Sequence, residues 1–152
     1  MPRGTRQLPG ECVRRLQNAE LIIHAGDFVR ASVLEELGRL APVEGVVGNM
    51  DETALRDVLP EQRVVEVEGA RIGVVHVAGS AMGRGERLAG AFPRCDAVVY
   101  GHTHIPEISR SGETWVLNPG SPTERRGAPA HSMLMLEIDS GEIRPELVEL
   151  SS

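Results

Sequence analysis

Apolar positions along the chain follow two rhythms in turn. Leu8, Cys12, Val13 and Leu16 recur at helical spacing, which predicts a short amphipathic helix over 8–18. The run at 21–25 reads as a buried strand that stops at Gly26-Asp27. Val33, Leu34, Leu37 and Leu40 then mark one face of a second helix over 31–40, with Pro42 beyond it. A short strand at 43–47 ends in Gly48-Asn49-Met50-Asp51, and 53–59 reads as a helical turn before Pro60. From there the period shortens. Strands are predicted at 63–68 and 71–76, a helix at 86–92, and a strand at 97–100 that runs into Gly101-His102-Thr103-His104. Further strands are expected around Ile108 and at 115–117, 132–138 and 143–150, with turns at Ser111-Gly112 and Ser140-Gly141. Alternating strands and helices followed by hairpins predict one domain over 1–152, an α/β or α+β layered fold with mixed sheets.

The polar residues that interrupt this pattern fall in one kind of place. Asp27, Asn49, His76, and the pair His102 and His104 each follow an apolar strand. In open α/β sheets ligands bind at the carboxyl ends of the strands. Taken singly, a Gly-Asp or Gly-Asn pair is an ordinary turn, and one histidine at a strand end is an ordinary hydrogen-bonding residue. Four such endings together point to one site. A carboxylate, an amide oxygen and imidazoles suit borderline metals such as Mn, Fe, Co, Ni or Zn better than Ca or Mg.

Composition narrows the function classes. Aromatic residues are only 3% of the chain, so the core must be packed from Val, Leu, Ile and Ala. A net charge of −6 argues against broad binding to nucleic-acid backbones. All 16 basic residues are arginine, which excludes a Schiff-base or P-loop lysine. Cys12 and Cys95 form no C-x-x-C pair and read as free thiols. No apolar run reaches the roughly 20 residues that span a bilayer, and the start lacks a signal-peptide core. The expected location is the cytoplasm, with a homo-oligomer left open.

The ordered set Gly26-Asp27, Gly48-Asn49-Met50-Asp51, His76, Gly101-His102-Thr103-His104 and Asn118-Pro119-Gly120-Ser121 resembles the small bacterial and archaeal phosphodiesterases of the calcineurin-like metallophosphoesterase superfamily. The resemblance implies a four-layer αββα sandwich with a two-metal site at the strand ends. It implies that Asp27 bridges two metals, that Asn49, His76 and His102 complete one, and that His104 joins the other. It gives the Asn118 turn a supporting role and makes Asp51 a residue that orients a ligand. The cofactor it implies is a divalent transition metal, manganese first, which acidifies water for attack on a small phosphate-ester substrate.

Family members begin with a strand ending in D-x-H, and the sequence shows no D-x-H before Gly26-Asp27. The expectation is that this first strand is missing because Met1 is internal to a longer chain. One metal position then keeps four candidate ligands, and the other keeps only Asp27 and His104. Met50 stands where some relatives carry a histidine, so no leaving-group acid is assigned and no catalytic residue is named beyond the metal ligands. Two alternatives remain open at this level: a non-catalytic interaction scaffold on the same fold, and an inactive shortened form with one metal. A cupin or a TIM-barrel hydrolase could also use H-x-H, but the helices at 8–18 and 31–40 argue against the first and the length against the second. His24 and His131 are left out of the site. Arg84, Arg87, Arg125 and Arg126 read as solvated surface that could rim a phosphate pocket.

Overall fold

The structure, a computed structural model, describes residues 8–123 and 127–150. Arg125, Arg126 and the residues before Leu8 lie outside that range. The elements run α1 (Gly10–Gln17), β1 (Ile22–His24), α2 (Ala31–Leu40), β2 (Val43–Gly45) and α3 (Thr53–Val58). Then come β3 (Gln62–Val67), β4 (Ala70–Val75), α4 (Arg84–Ala91), β5 (Ala97–Tyr100), β6 (Glu107–Ser111), β7 (Thr114–Asn118), β8 (His131–Asp139) and β9 (Glu142–Leu150). Every predicted element is present, with ends displaced by a residue or two. Helix and strand ends are where local sequence constrains the backbone least.

The chain is a mixed α/β fold around a central mixed sheet. That sheet has the order β3-β4-β5-β7-β6; β4, β5 and β7 are parallel, and β3 and β6 are antiparallel edges. β1 pairs with β2 in parallel, and β8 pairs with β9 in a nine-rung antiparallel hairpin. Side chains on a strand alternate between faces, and here the alternation sorts them into layers. Ile72, Val74, Ala97, Val99 and Leu117 point to one face of the central sheet, where they meet Ala25, Leu134, Leu136, Ile138 and Ile143 from the other two sheets. Val98, Tyr100 and Val116 point to the opposite face, against Leu88 and Phe92 of the α4 region.

The outer helices close the far side. Val33 and Leu37 of α2 and Leu55 of α3 pack on Ile22 and Phe28. Cys12 and Leu16 of α1 pack on Met133, Val148 and Leu150. Each fully buried aliphatic side chain contributes roughly 1.5–3 kcal/mol, so three such layers hold the fold without many aromatics.

One cavity of about 500 Å³ opens in this packing. Residues 21–27 and 132–138 line it consecutively, not at every second position, so β1 and β8 each present an edge to it. Among the described residues, β1 pairs only with β2 and β8 only with β9. The cavity ends at His76, His102 and His104, where the candidate site begins.

Candidate metal centre

Because β1 and β2 run parallel, and β4 and β5 likewise, each pair delivers its ligand-type residues to one end. The Gly101 N–H donates to the His76 carbonyl at 3.0 Å, carrying the β4–β5 ladder one step beyond the strands. His76 then reaches across to the β1 side, with Nδ1 2.7 Å from the Ala25 carbonyl. Two glycines make the approach possible. A Cβ at Gly26 would lie 2.6 Å from His76 Nδ1, and one at Gly48 would lie 2.3 Å from the Asp27 amide nitrogen.

A carbonyl cannot donate, so His76 Nδ1 carries the proton and, in the neutral ring, Nε2 presents a lone pair. That lone pair faces the Asn49 Oδ1 at 2.7 Å and the Asp27 carboxylate at 3.2 Å. His102 Nδ1 lies 3.2 Å from the same Asn49 oxygen. The ligand atoms of Asp27, His76 and His102 all fall within 4.8 Å of one another, and these three residues could hold a metal ion. Acceptors pressed this closely repel unless a proton or a metal cation sits among them. The donor set therefore fits a divalent transition metal.

Asp27 is 4% exposed, and burial by itself pushes its carboxyl pKa up. Hydrogen bonds to the carboxylate, from His76 when its ring is protonated and from the Met50 amide, outweigh that and hold it down at about 2, from an ordinary 3.8. The Met50 N–H donates to Oδ1 at 2.7 Å. Asp51 organises the backbone beneath. Its two oxygens accept from the amides of Asp27 at 3.2 Å, Val29 at 2.6 Å and Gly48 at 2.7 Å, tying the β1 and β2 loops together. Those loops are strained. Asp27, Val29, His102 and His104 have φ of 62°, 74°, 69° and 61°, in the left-handed region that L side chains avoid. Each such residue costs about 1–3 kcal/mol, and the anchoring at Asp51 helps to hold the first two in place.

The structure brings Asp27, Asn49, His76 and His102 together. His104 is buried on the wall of the same cavity but stands outside the cluster of converging ligand atoms. Asn118 is fully buried, and its Nδ2 donates to Thr103 Oγ1 at 3.1 Å while its Oδ1 accepts from Gly120 N–H at 2.8 Å. It braces the loop that carries the two histidines.

Arginines carry a role that the sequence reading missed. Arg87 donates to the carbonyls of Ala78, Ser80 and Met82, and Arg84 to Tyr100 Oη and the Gly79 carbonyl. Arg56 donates to the carbonyls of Asp51 and Asn49. These guanidiniums staple site loops. Tyr100 in turn donates to Glu107, linking the end of β5 to the start of β6.

His24 is the last residue of β1. It stacks on Phe28 at 3.7 Å and accepts from the Gly26 N–H at 3.1 Å. Burial holds its pKa well below the usual 6.5, against an opposing pull from Asp27. A histidine whose folded pKa is lowered binds its proton better when unfolded, so stability drops as pH falls below 6.5. The depressed Asp27 carboxyl acts in the same direction, with its contribution present above 3.8 and lost towards 2. Metal-free protein should therefore be less stable at pH 5.0 than at pH 7.5. Urea unfolding midpoints at pH 7.5 and 5.0 check this, and equal midpoints would contradict it.

A profile of the calcineurin-like phosphoesterase superfamily domain matches residues 4–141. The chain belongs to that superfamily. It is 36% identical to a probable metallophosphoesterase of Methanothermobacter thermautotrophicus, over 97% of this chain and 86% of that protein. It is 34% identical to the phosphodiesterase YfcE of Escherichia coli, over 74% of this chain and 62% of that one. Wild-type Vps29 of Entamoeba histolytica, crystallised with zinc, superposes with a TM-score of 0.76 at 26% identity, covering 98% of this chain and 93% of Vps29. These relatives support a phosphoesterase that acts as a hydrolase, and the superfamily binds divalent metals. Among the described residues no helix is long and apolar enough to cross a membrane.

Proposed function

We propose that the chain is a metal-dependent phosphodiesterase whose principal metal position is formed by Asp27, Asn49, His76 and His102. The observation that carries this reading is the convergence of acceptor atoms around His76 Nε2 and Asn49 Oδ1. Manganese is the proposed ion, and His104 is assigned to a second position that shares Asp27. When bound, the metal supplies an acidified water and offsets charge on the phosphoryl oxygens. The protein's part is orientation. The Ala25 carbonyl fixes the tautomer and aim of His76, as a hydrogen-bond partner behind a ligand histidine does elsewhere. Asp51 and the Met50 amide hold Asp27, and Asn118 holds the histidine loop.

The proposed substrate is a small phosphate ester, and the proposed location is the cytoplasm. In the assay that tests this, bis(p-nitrophenyl) phosphate is turned over with added Mn and not after chelation. Absence of hydrolysis at any pH or metal loading would sink the reading. The likeness to Vps29 favours a second one, a binding scaffold, which predicts retained metal without turnover.

A further inference from the structure

The residues that directly follow three proposed ligands share one property. Met50 follows Asn49, Val77 follows His76 and Ile105 follows His104, and they are 43%, 53% and 51% exposed. Met82, in the loop after β4, is 86% exposed. Thus four of the eight large apolar side chains exposed among the described residues lie on the loops at the site end of β2, β4 and β5. Scattered exposed apolar residues are ordinary, but a concentration marks a binding surface. Met50 is fixed close to the centre, because its amide donates to Asp27 Oδ1.

The guanidiniums of α3 and α4 that reach these loops are engaged with backbone. Arg56, Arg84 and Arg87 donate to backbone carbonyls of Asn49, Gly79 and Ala78, among others. Such a mouth offers an ester's organic group apolar surface, and Arg56, Arg84 and Arg87 are committed to holding the loops.

We infer that the site selects phosphate esters whose organic group is apolar, an aryl or short alkyl group seated on Met50, Val77 and Ile105. The inference rests on the metal-centre reading above. Non-hydrolysed phosphonates separate the two. Mn-loaded protein is titrated calorimetrically with inorganic phosphate, phenylphosphonate and 2-hydroxyethylphosphonate. The expected result is phosphate binding, with phenylphosphonate bound at least ~10-fold tighter than its hydroxyethyl counterpart, the low end for hydrophobic discrimination in a pocket. The double variant Val77→Ser, Ile105→Ser should close that gap and leave phosphate and Mn affinity unchanged. Equal binding of the two phosphonates by the unmodified chain, or a gap that survives in the variant, overturns the apolar subsite alone. Failure of inorganic phosphate to bind overturns the metal-centre reading and this inference with it.

Discussion

His76→Ala should weaken Mn binding by more than ~100-fold, the upper end of what losing a residue behind a ligand costs. His76 is the piece that joins the two halves of the site. Its Nδ1 is held by Ala25 on the β1 side, and its Nε2 meets both Asn49 and Asp27. Removing the ring deletes one donor and releases the contact that aligns two others. Calorimetric titration with Mn reads the loss. Affinity within threefold of the unmodified chain would show that the metal does not sit on this group. His102→Ala should have a smaller effect, because its ring meets the Asn49 Oδ1 at 3.2 Å where His76 meets it at 2.7 Å.

Asp51→Ala should destabilise the metal-free protein by about 3–6 kcal/mol. The carboxylate accepts from three backbone amides on two loops, two of those bonds at 2.6 and 2.7 Å. Asp51 is 5% exposed, and each buried donor left without its acceptor costs ~1–3 kcal/mol. The positive-φ conformations of Asp27 and Val29 also lose their anchor. Urea denaturation gives the number, and a loss below ~1 kcal/mol would mean that the loops hold without Asp51. Asp51→Asn keeps one acceptor and should fall between the two, which separates loss of the oxygens from loss of the side chain as a whole.

Much of this fold is written in local pattern. The helix at Ala31–Leu40 and the strand at Ala97–Tyr100 have the bounds that spacing predicts, because each is a clean apolar stripe with a breaker behind it. The site was legible as well, since polar residues directly after apolar strands are visible without any structure. What was not legible depends on contacts across the chain. Nothing near Asp51 in sequence indicates that it accepts from amides 22 and 24 positions away. Arg87 looks like solvated surface until the loop after β4 folds back over it. His102 and His104 differ only by position in a two-step motif. His102 joins the ligand cluster and His104 does not, a difference that only the folded loop shows. The edges that β1 and β8 turn towards the cavity are likewise a property of sheet assembly, which apolar runs alone do not specify.

In the proposed centre, four strand-end residues form one metal position. Anomalous diffraction from Mn-soaked crystals tests it most directly. A manganese peak is expected about 2.0–2.3 Å from the Asp27 carboxylate, Asn49 Oδ1, His76 Nε2 and a His102 ring nitrogen, the range of ordinary metal–nitrogen and metal–oxygen bonds. A peak elsewhere on the chain, or none at saturating Mn, would contradict it.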